Sequence, residues 1–408
     1  MRLRRNASIV ASRTAAGAAC SGSPTARKDH VVAGLAAPHA FGMDAPSPGL
    51  FAGDAVDKWR ETHNVLLMVI DPPDSAAITT TCRQRASLRA EMVRLGARWL
   101  LKRRGRNDVT IEQMRRRAAT VERLVPKPAA GTRTLALYAG GVRADRVSTP
   151  LSECCRHVFF LHGGGFIVGS PALYRHFTWR IASAAHARLL VVDYRLAPEH
   201  PSPAALDDAV MAYRWLLADG AKPQQIAVMG DSAGGGLTLS LLLRLRDQRI
   251  PLPAAAVAMS PWTDLALTGP SLKLNARADP LVSPEQARRF VDYYLAGTDP
   301  RSPYASPLYG NPVGLPPTII QVGSDEVLRD DAVRMADRMH AAGCWVELEI
   351  WPRMPHVWHL FAPVMPEARQ AIERFGEFVT AVIRPPHPAA DRPLSREQPW
   401  EAVGPRQL

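Results

Sequence analysis

The stretch from Ile226 to Arg246 constrains this chain more than any other. Four apolar residues, Ile226-Ala227-Val228-Met229, lead into Gly230-Asp231-Ser232-Ala233-Gly234-Gly235-Gly236, and an apolar run of helical character follows. A strand that gives way to a helix through a single serine needs a turn so sharp that only small residues two positions to either side let the chain pass, and Gly230 and Gly234 meet that need. The helix points its N-terminus at Ser232, so its free N–H groups favour negative charge forming there. Gly-x-Ser-x-Gly also occurs in plain glycine-rich turns; the strand before it and the helix after it give this one chemical meaning, with Ser232 as the candidate nucleophile.

A second glycine-rich segment, His162-Gly163-Gly164-Gly165-Phe166, follows the apolar run His157 to Leu161. Nucleophilic attack on an ester carbonyl creates a tetrahedral oxyanion that preorganised N–H donors must meet, and glycines let backbone approach without a Cβ in the way. Neither Gly-x-x-x-x-Gly-Lys-[Ser/Thr] nor Gly-x-Gly-x-x-Gly is present, which argues against a phosphate-binding loop. The oxyanion hole is therefore placed at Gly163, Gly164, Gly165 and Ala233. The amides of Gly164, Gly165 and Ala233 are the expected donors, and Gly163 shapes the turn. His162, Gly230, Asp231, Gly234 and Glu199 are expected to support these motifs.

Short β-rich runs alternate with helical stretches around these segments. Strands are expected at His157 to Leu161, Leu189 to Tyr194, Ile226 to Met229, Ala255 to Met259, Pro317 to Val322 and Val346 to Trp351. Helices are expected at Pro203 to Ala218, Gly234 to Arg246, Asp330 to Ala342 and Glu367 to Val379. That alternation specifies an α/β fold, a mainly parallel sheet covered on both faces. Two amphipathic helices precede it: Ser87 to Arg104, with Leu88, Met92, Leu95, Trp99 and Leu100 at helical spacing, and Ile111 to Leu124, with Met114, Ala118 and Val121. An extra helix at Ser283 to Ala296 interrupts the alternation as a lid element. The resulting division is an unstructured extension over 1–60, a helical cap segment over 61–128, a catalytic domain over 129–383 and an unstructured tail over 384–408.

The motifs together resemble the hormone-sensitive-lipase-like esterases of the α/β-hydrolase fold. Tyr194-Arg195-Leu196-Ala197-Pro198-Glu199-His200-Pro201, Ser260-Pro261-Trp262 and Asp279-Pro280-Leu281 extend the resemblance over roughly Ile111 to Val382. Within the family the set is most similar to bacterial esterases that include monoterpene lactone hydrolases and acetyl hydrolases. The resemblance implies an eight-stranded, mainly parallel sheet with a helical cap, a carboxylic ester or lactone as substrate with short to medium acyl chains, and no cofactor or metal. Homodimers are frequent among such esterases.

A serine hydroxyl needs a base to take its proton and a carboxylate to orient that base, and in this fold they follow in the order Ser, acid, His. His340 falls in a helical pattern and His387 in the Pro-rich tail. His356 lies in the loop where the family places its base, and His359 is expected to pack structurally. In Gly323-Ser324-Asp325-Glu326 after the strand Pro317 to Val322, Asp325 matches the family's acid position. Glu326 stands where many relatives have proline and leaves a second carboxylate next door. Glu199 has a counterpart in the family that holds the oxyanion loop. The rivals are an amidase or deacetylase with the same triad and a non-catalytic small-molecule receptor on this fold.

The formal net charge is +12, much of it between Arg83 and Arg123, where Lys102-Arg103-Arg104 and Arg115-Arg116-Arg117 fall on the expected helices. No helix-turn-helix, zinc-finger or aromatic RNA-binding signature accompanies it, so nucleic acid is not an expected partner. A solvated helix face and weak attraction to an anionic membrane surface are the two readings that remain. Five scattered cysteines with one adjacent pair, Cys154-Cys155, read as reduced thiols of a cytoplasmic protein. Arg13 interrupts the apolar stretch that a secretion signal would need.

Overall fold

The computed structural model describes residues 68–69, 78–81, 86–102 and 109–384. The extension expected over 1–60 and all of the expected tail beyond Arg384 lie outside the described residues. In chain order the elements are β1 (Met68–Val69), β2 (Ile78–Thr81), α1 (Leu88–Lys102), α2 (Ile111–Leu124), β3 (Arg133–Ala139), β4 (Val142–Ser148), β5 (His157–Leu161), α3 (Pro171–Ala184), β6 (Arg188–Val192), α4 (Ala204–Ala218), β7 (Ile226–Asp231), α5 (Ala233–Asp247) and β8 (Ala255–Met259). There follow α6 (Ser271–Leu274), α7 (Pro284–Leu295), β9 (Thr318–Gly323), α8 (Arg329–Ala341), β10 (Val346–Trp351) and α9 (Pro366–Val382).

One sheet runs in the order β1-β2-β10-β9-β8-β7-β5-β6-β4-β3. From β2 through β6 every neighbouring pair is parallel, and antiparallel pairs close both edges, β1 with β2 on one side and β6 with β4 and β4 with β3 on the other. The eight strands from Arg133 onward form the expected sheet, and β1 and β2 extend its edge. The central strands β5, β7 and β8 carry near-continuous apolar runs because helices cover both faces. Successive residues point to opposite sides: Phe159, Leu161, Ile226 and Val228 join α4 and α5 in one core, while Val158, Phe160, Ala227 and Met229 join α3 and α9 in the other.

Among the elements that escaped the sequence pattern are the β3–β4 hairpin and helix α3. The β3–β4 hairpin turns at Gly140-Gly141, both at positive φ, a two-residue signal of the kind that joins antiparallel strands. Its strand β3 is exposed along most of its length, so it lacks the apolar run that marked the central strands. Helix α3 is announced by Ser170, whose hydroxyl caps the Leu173 amide at 3.1 Å, and by Pro171 in its first turn.

Helices α3 and α9 meet closely because Gly376 has no side chain: a Cβ there would lie 2.6 Å from the Ala184 carbonyl group. Gly376→Ala therefore forces backbone apart despite its better helix propensity. We expect it to cost about 1–3 kcal/mol, read as a lower Tm in thermal unfolding; a Tm at or above wild type would refute the close packing.

Candidate active site

Ser232 follows β7 at φ 55° and ψ −121°, a backbone conformation that a side chain rarely adopts. Its amide donates to the Met259 carbonyl at 2.8 Å, and its own carbonyl accepts from the Trp262 amide at 2.9 Å and the Gly236 amide at 3.0 Å. The turn closes only without side chains. A Cβ at Gly230 would lie 2.2 Å from the Gly234 carbonyl oxygen, and one at Gly234 would lie 2.1 Å from that of Leu161.

The Ser232 hydroxyl lies 2.8 Å from His356 Nε2, and His356 Nδ1 lies 2.8 Å from Glu326 Oε2. Here the expected acid is corrected. Asp325 does not reach the imidazole: its carboxylate accepts from the Ser324 hydroxyl at 3.0 Å and stands 3.8 Å from Arg94 of α1, with its side chain 20% exposed. The reason lies in the turn after β9. The Glu326 amide bonds back to the Gly323 carbonyl at 3.3 Å, which folds the fourth residue of the turn, and not the third, under the end of the strand. Glu326 Oε1 then accepts from the Gly323 amide at 2.6 Å and the Ser260 hydroxyl at 2.8 Å.

Ser260 also accepts from the Val357 amide at 3.1 Å, so one hydroxyl joins the carboxylate to the residue after His356. The Asn275 side chain donates to the carbonyls of Ser324 and Glu326, and Asp279 accepts from the amides of Leu281, Val282 and Val327. Asp279-Pro280-Leu281 and Ser260-Pro261-Trp262 were legible as motifs, and their work is to hold this turn; nothing in the sequence pointed to Asn275. Burial opposes charge on His356, but the Glu326 hydrogen bond and carboxylate, with Asp279 and Asp231 behind them, hold the imidazole above its ordinary value. Burial pushes the Glu326 carboxyl up, against the bond from His356.

The glycine loop stands opposite. Gly164 has φ +113°, and a Cβ there would lie 1.7 Å from the Val168 carbonyl oxygen, so only glycine fits. Among the described residues no protein group accepts from the amides of Gly164, Gly165 or Ala233. Gly163, placed with the oxyanion hole for its part in the turn, has its amide engaged: it donates to Asp231 Oδ1 at 2.9 Å and to the Tyr174 hydroxyl at 3.0 Å. Asp231 thereby ties the serine turn to the glycine loop, and burial pushes its carboxyl up to about 7. His162 supports the loop from behind, stacked on Tyr194 at 4.3 Å with Nδ1 on the Gly163 carbonyl; burial holds it down to about 4. His359 is buried against Gln321 at 2.8 Å and pushed down to about 3 by burial.

Glu199 does not touch the glycine loop itself. It pairs with Arg115 of α2 at 2.7 and 2.8 Å, which draws its carboxyl down to about 2, and Arg115 in turn donates to the carbonyls of Ile167 and Ala197 at 2.9 Å each. This arginine, which sequence left as part of either a solvated face or a membrane-facing one, links α2 to the loop. Ser232 and His356 open into a cavity of about 390 Å³ whose walls include Met114 and Ala118 of α2, Ala287 and Phe290 of α7, Leu281 and Trp262. Phe166 and Trp179 lie outside this lining: Phe166 is stacked on Tyr294 at 3.7 Å, and Trp179 lies under Arg180.

A family model described as the α/β-hydrolase fold matches residues 158–360. An acetyl-hydrolase of Streptomyces hygroscopicus is 48% identical over 230 residues, which is 56% of this chain and 77% of that protein. An esterase of Acinetobacter venetianus is 38% identical over 243 residues, 59% of this chain and 80% of its own. The crystal structure of an esterase from the bacterial hormone-sensitive lipase family superposes with a TM-score of 0.70 at 43% identity, covering 74% of this chain and all of that one. The chain belongs to the hormone-sensitive-lipase-like esterases of the α/β-hydrolase fold and is a carboxylesterase-type hydrolase.

Proposed function

We propose that the protein hydrolyses carboxylic esters of short to medium acyl chains through a Ser232–His356–Glu326 triad and an acyl-enzyme. The observation that carries this reading is the unbroken line of 2.8 Å contacts from Ser232 Oγ through the imidazole to Glu326, opening into a cavity with mostly apolar walls. Ser232 Oγ attacks the carbonyl carbon while His356 Nε2 takes its proton, and the oxyanion is met by the amides of Gly164, Gly165 and Ala233 at the start of α5. Collapse of this intermediate breaks the bond to the alcohol, which leaves with the proton from His356. Water then attacks the acyl-serine ester, His356 takes its proton, and the acid departs as Oγ recovers a hydrogen. Glu326 stays ionised throughout, holding Nδ1–H and stabilising the imidazolium. A lactone reacts by the same steps with its alcohol still tethered.

The test is hydrolysis of p-nitrophenyl esters from acetate to laurate by wild type, Ser232→Ala, Glu326→Gln and Asp325→Asn. Ser232→Ala should lose on the order of 10⁶-fold in kcat, and Glu326→Gln about 10³–10⁴-fold. Asp325→Asn, which breaks an ion pair with Arg94 outside the triad, should stay within about threefold of wild type. A loss in Asp325→Asn as deep as that in Glu326→Gln would reassign the acid.

The pH dependence follows from His356. Catalysis needs the neutral imidazole, and its raised pKa moves the acid limb of kcat/KM up, so the rate should climb through a midpoint above about 6.5. In Glu326→Gln the carboxylate that raises it is gone while burial remains, so the residual activity should have its acid limb at lower pH. A midpoint that does not move would remove Glu326 from contact with the base.

A further inference from the structure

Helix α1 carries its apolar residues on the wrong side for a core. Leu88, Met92, Leu95 and Trp99 are 83%, 64%, 55% and 60% exposed, whereas Ala90 is buried and Val93 packs against the core beneath α3 and α9. At 3.6 residues per turn the four exposed side chains fall within about 60° of arc, with Arg89 beyond one border of the stripe and Arg98 beyond the other. Both arginines are exposed and have no carboxylate partner among the described residues. The acid nearest the stripe, Glu91, is occupied: Arg94 and Arg353 hold it and draw its carboxyl down to about 2.

The helix is held firmly from behind. The Ser87 amide donates to Glu367 of α9 at 2.6 Å, Arg94 reaches Asp325, and Arg353 pairs with Glu91. Asp325 and Arg353 follow β9 and β10 directly, at the same end of the parallel strands as Ser232 after β7. The stripe is thus a fixed feature of the end at which the cavity opens.

We propose that the Leu88–Met92–Leu95–Trp99 face of α1 docks on an anionic lipid bilayer. A narrow apolar stripe bordered by arginines suits a helix lying in the plane of a bilayer interface: the apolar residues enter the acyl boundary, and the arginines reach back to the headgroup phosphates. Charge selects this occupant over a second copy of the chain. A second copy laid on the stripe would add two more arginines to the face, and among the described residues the acid nearest the stripe, Glu91, is already paired. The docked chain presents its cavity end to the bilayer. The inference does not depend on the catalytic reading.

Sedimentation of the full chain with vesicles of phosphatidylcholine, alone or with about one-third phosphatidylglycerol, tests it. Wild type, Arg89→Glu/Arg98→Glu and Met92→Glu/Leu95→Glu are compared, with thermal unfolding and hydrolysis of p-nitrophenyl acetate in free solution as controls for intact structure. Two arginines at an anionic surface should favour the mixed vesicles about 30-fold in wild type. Charge reversal should abolish that preference and most of its salt dependence, and the Met92/Leu95 pair should lower binding to both vesicles about tenfold or more, with soluble hydrolysis unchanged. Absence of wild-type binding, equal binding by wild type and both variants, or a wild-type dimer that the Met92/Leu95 pair turns into a monomer would each overturn the proposal.

Discussion

A serine held at positive φ is the constraint on which this molecule is built. Such a conformation costs on the order of 1–3 kcal/mol and persists only where its surroundings overdetermine it. Here the surroundings are β5 and β8 paired to β7, the carbonyl of Met259 on the Ser232 amide, and two amides on its carbonyl. The glycines at 230 and 234 let the crossing backbones approach, and the Leu161 carbonyl fills the space that a side chain at Gly234 would need. Once the turn is closed, Asp231 faces the glycine loop, the first helical amide belongs to Ala233, and the hydroxyl faces His356. Strain at one residue therefore sets the position of nucleophile, base and amides together.

The carboxylate behind His356 depends on contacts that no local pattern contains. Gly323 fits under the Met354 carbonyl, where a Cβ would stand 2.1 Å away, and Ser260 and Asn275 grip the turn from other loops. Those contacts decide which of two consecutive acids turns inward. Asp325 is taken up by Arg94, more than two hundred residues earlier in the chain. Sequence alone named the turn and, through the family resemblance, chose Asp325 over its neighbour Glu326; choosing rightly needs the path of the chain after β10. The serine and the glycines stood out because they follow apolar strands, whereas the histidine was named through the loop where the resembled family places its base. Gly163 was legible as a turn residue, but its amide is spent on Asp231 and Tyr174, partners brought to it by β7 and α3.

The same division runs through the fold. Buried parallel strands advertise themselves by near-continuous apolar runs, so the centre of the sheet could be read directly. The β3–β4 hairpin and α3 could not be read that way. The hairpin is half exposed and marked only by its turn, and α3 mainly by its cap and proline. Periodicity in α1 and α2 identified helices correctly and left open what their stripes meet: α2 has no fully buried residue, and α1 buries Ala90 and part of Val93 while Leu88, Met92, Leu95 and Trp99 are exposed. A period of 3.6 states that a stripe exists and is silent on what covers it.

Positive charge shows the same limit from the other direction. Many of the arginines behind the net +12 are engaged inside the molecule: Arg115 joins α2 to the Ile167 and Ala197 carbonyls, Arg156 is buried against the Ile383 carbonyl, Arg195 grips Asp208, and Arg374 lies between Glu347 and Glu349. Charges spent in this way stabilise loops and contribute little to a field outside. The field that a partner meets comes from cations without acids nearby, so the sum of charges ranks surfaces poorly and the pairing of each charge ranks them well. On α1 the two exposed arginines, which have no carboxylate partner among the described residues, border exposed Leu88, Met92 and Leu95, and it is that coincidence of unpaired cation with exposed carbon, rather than basicity, that sets this face apart.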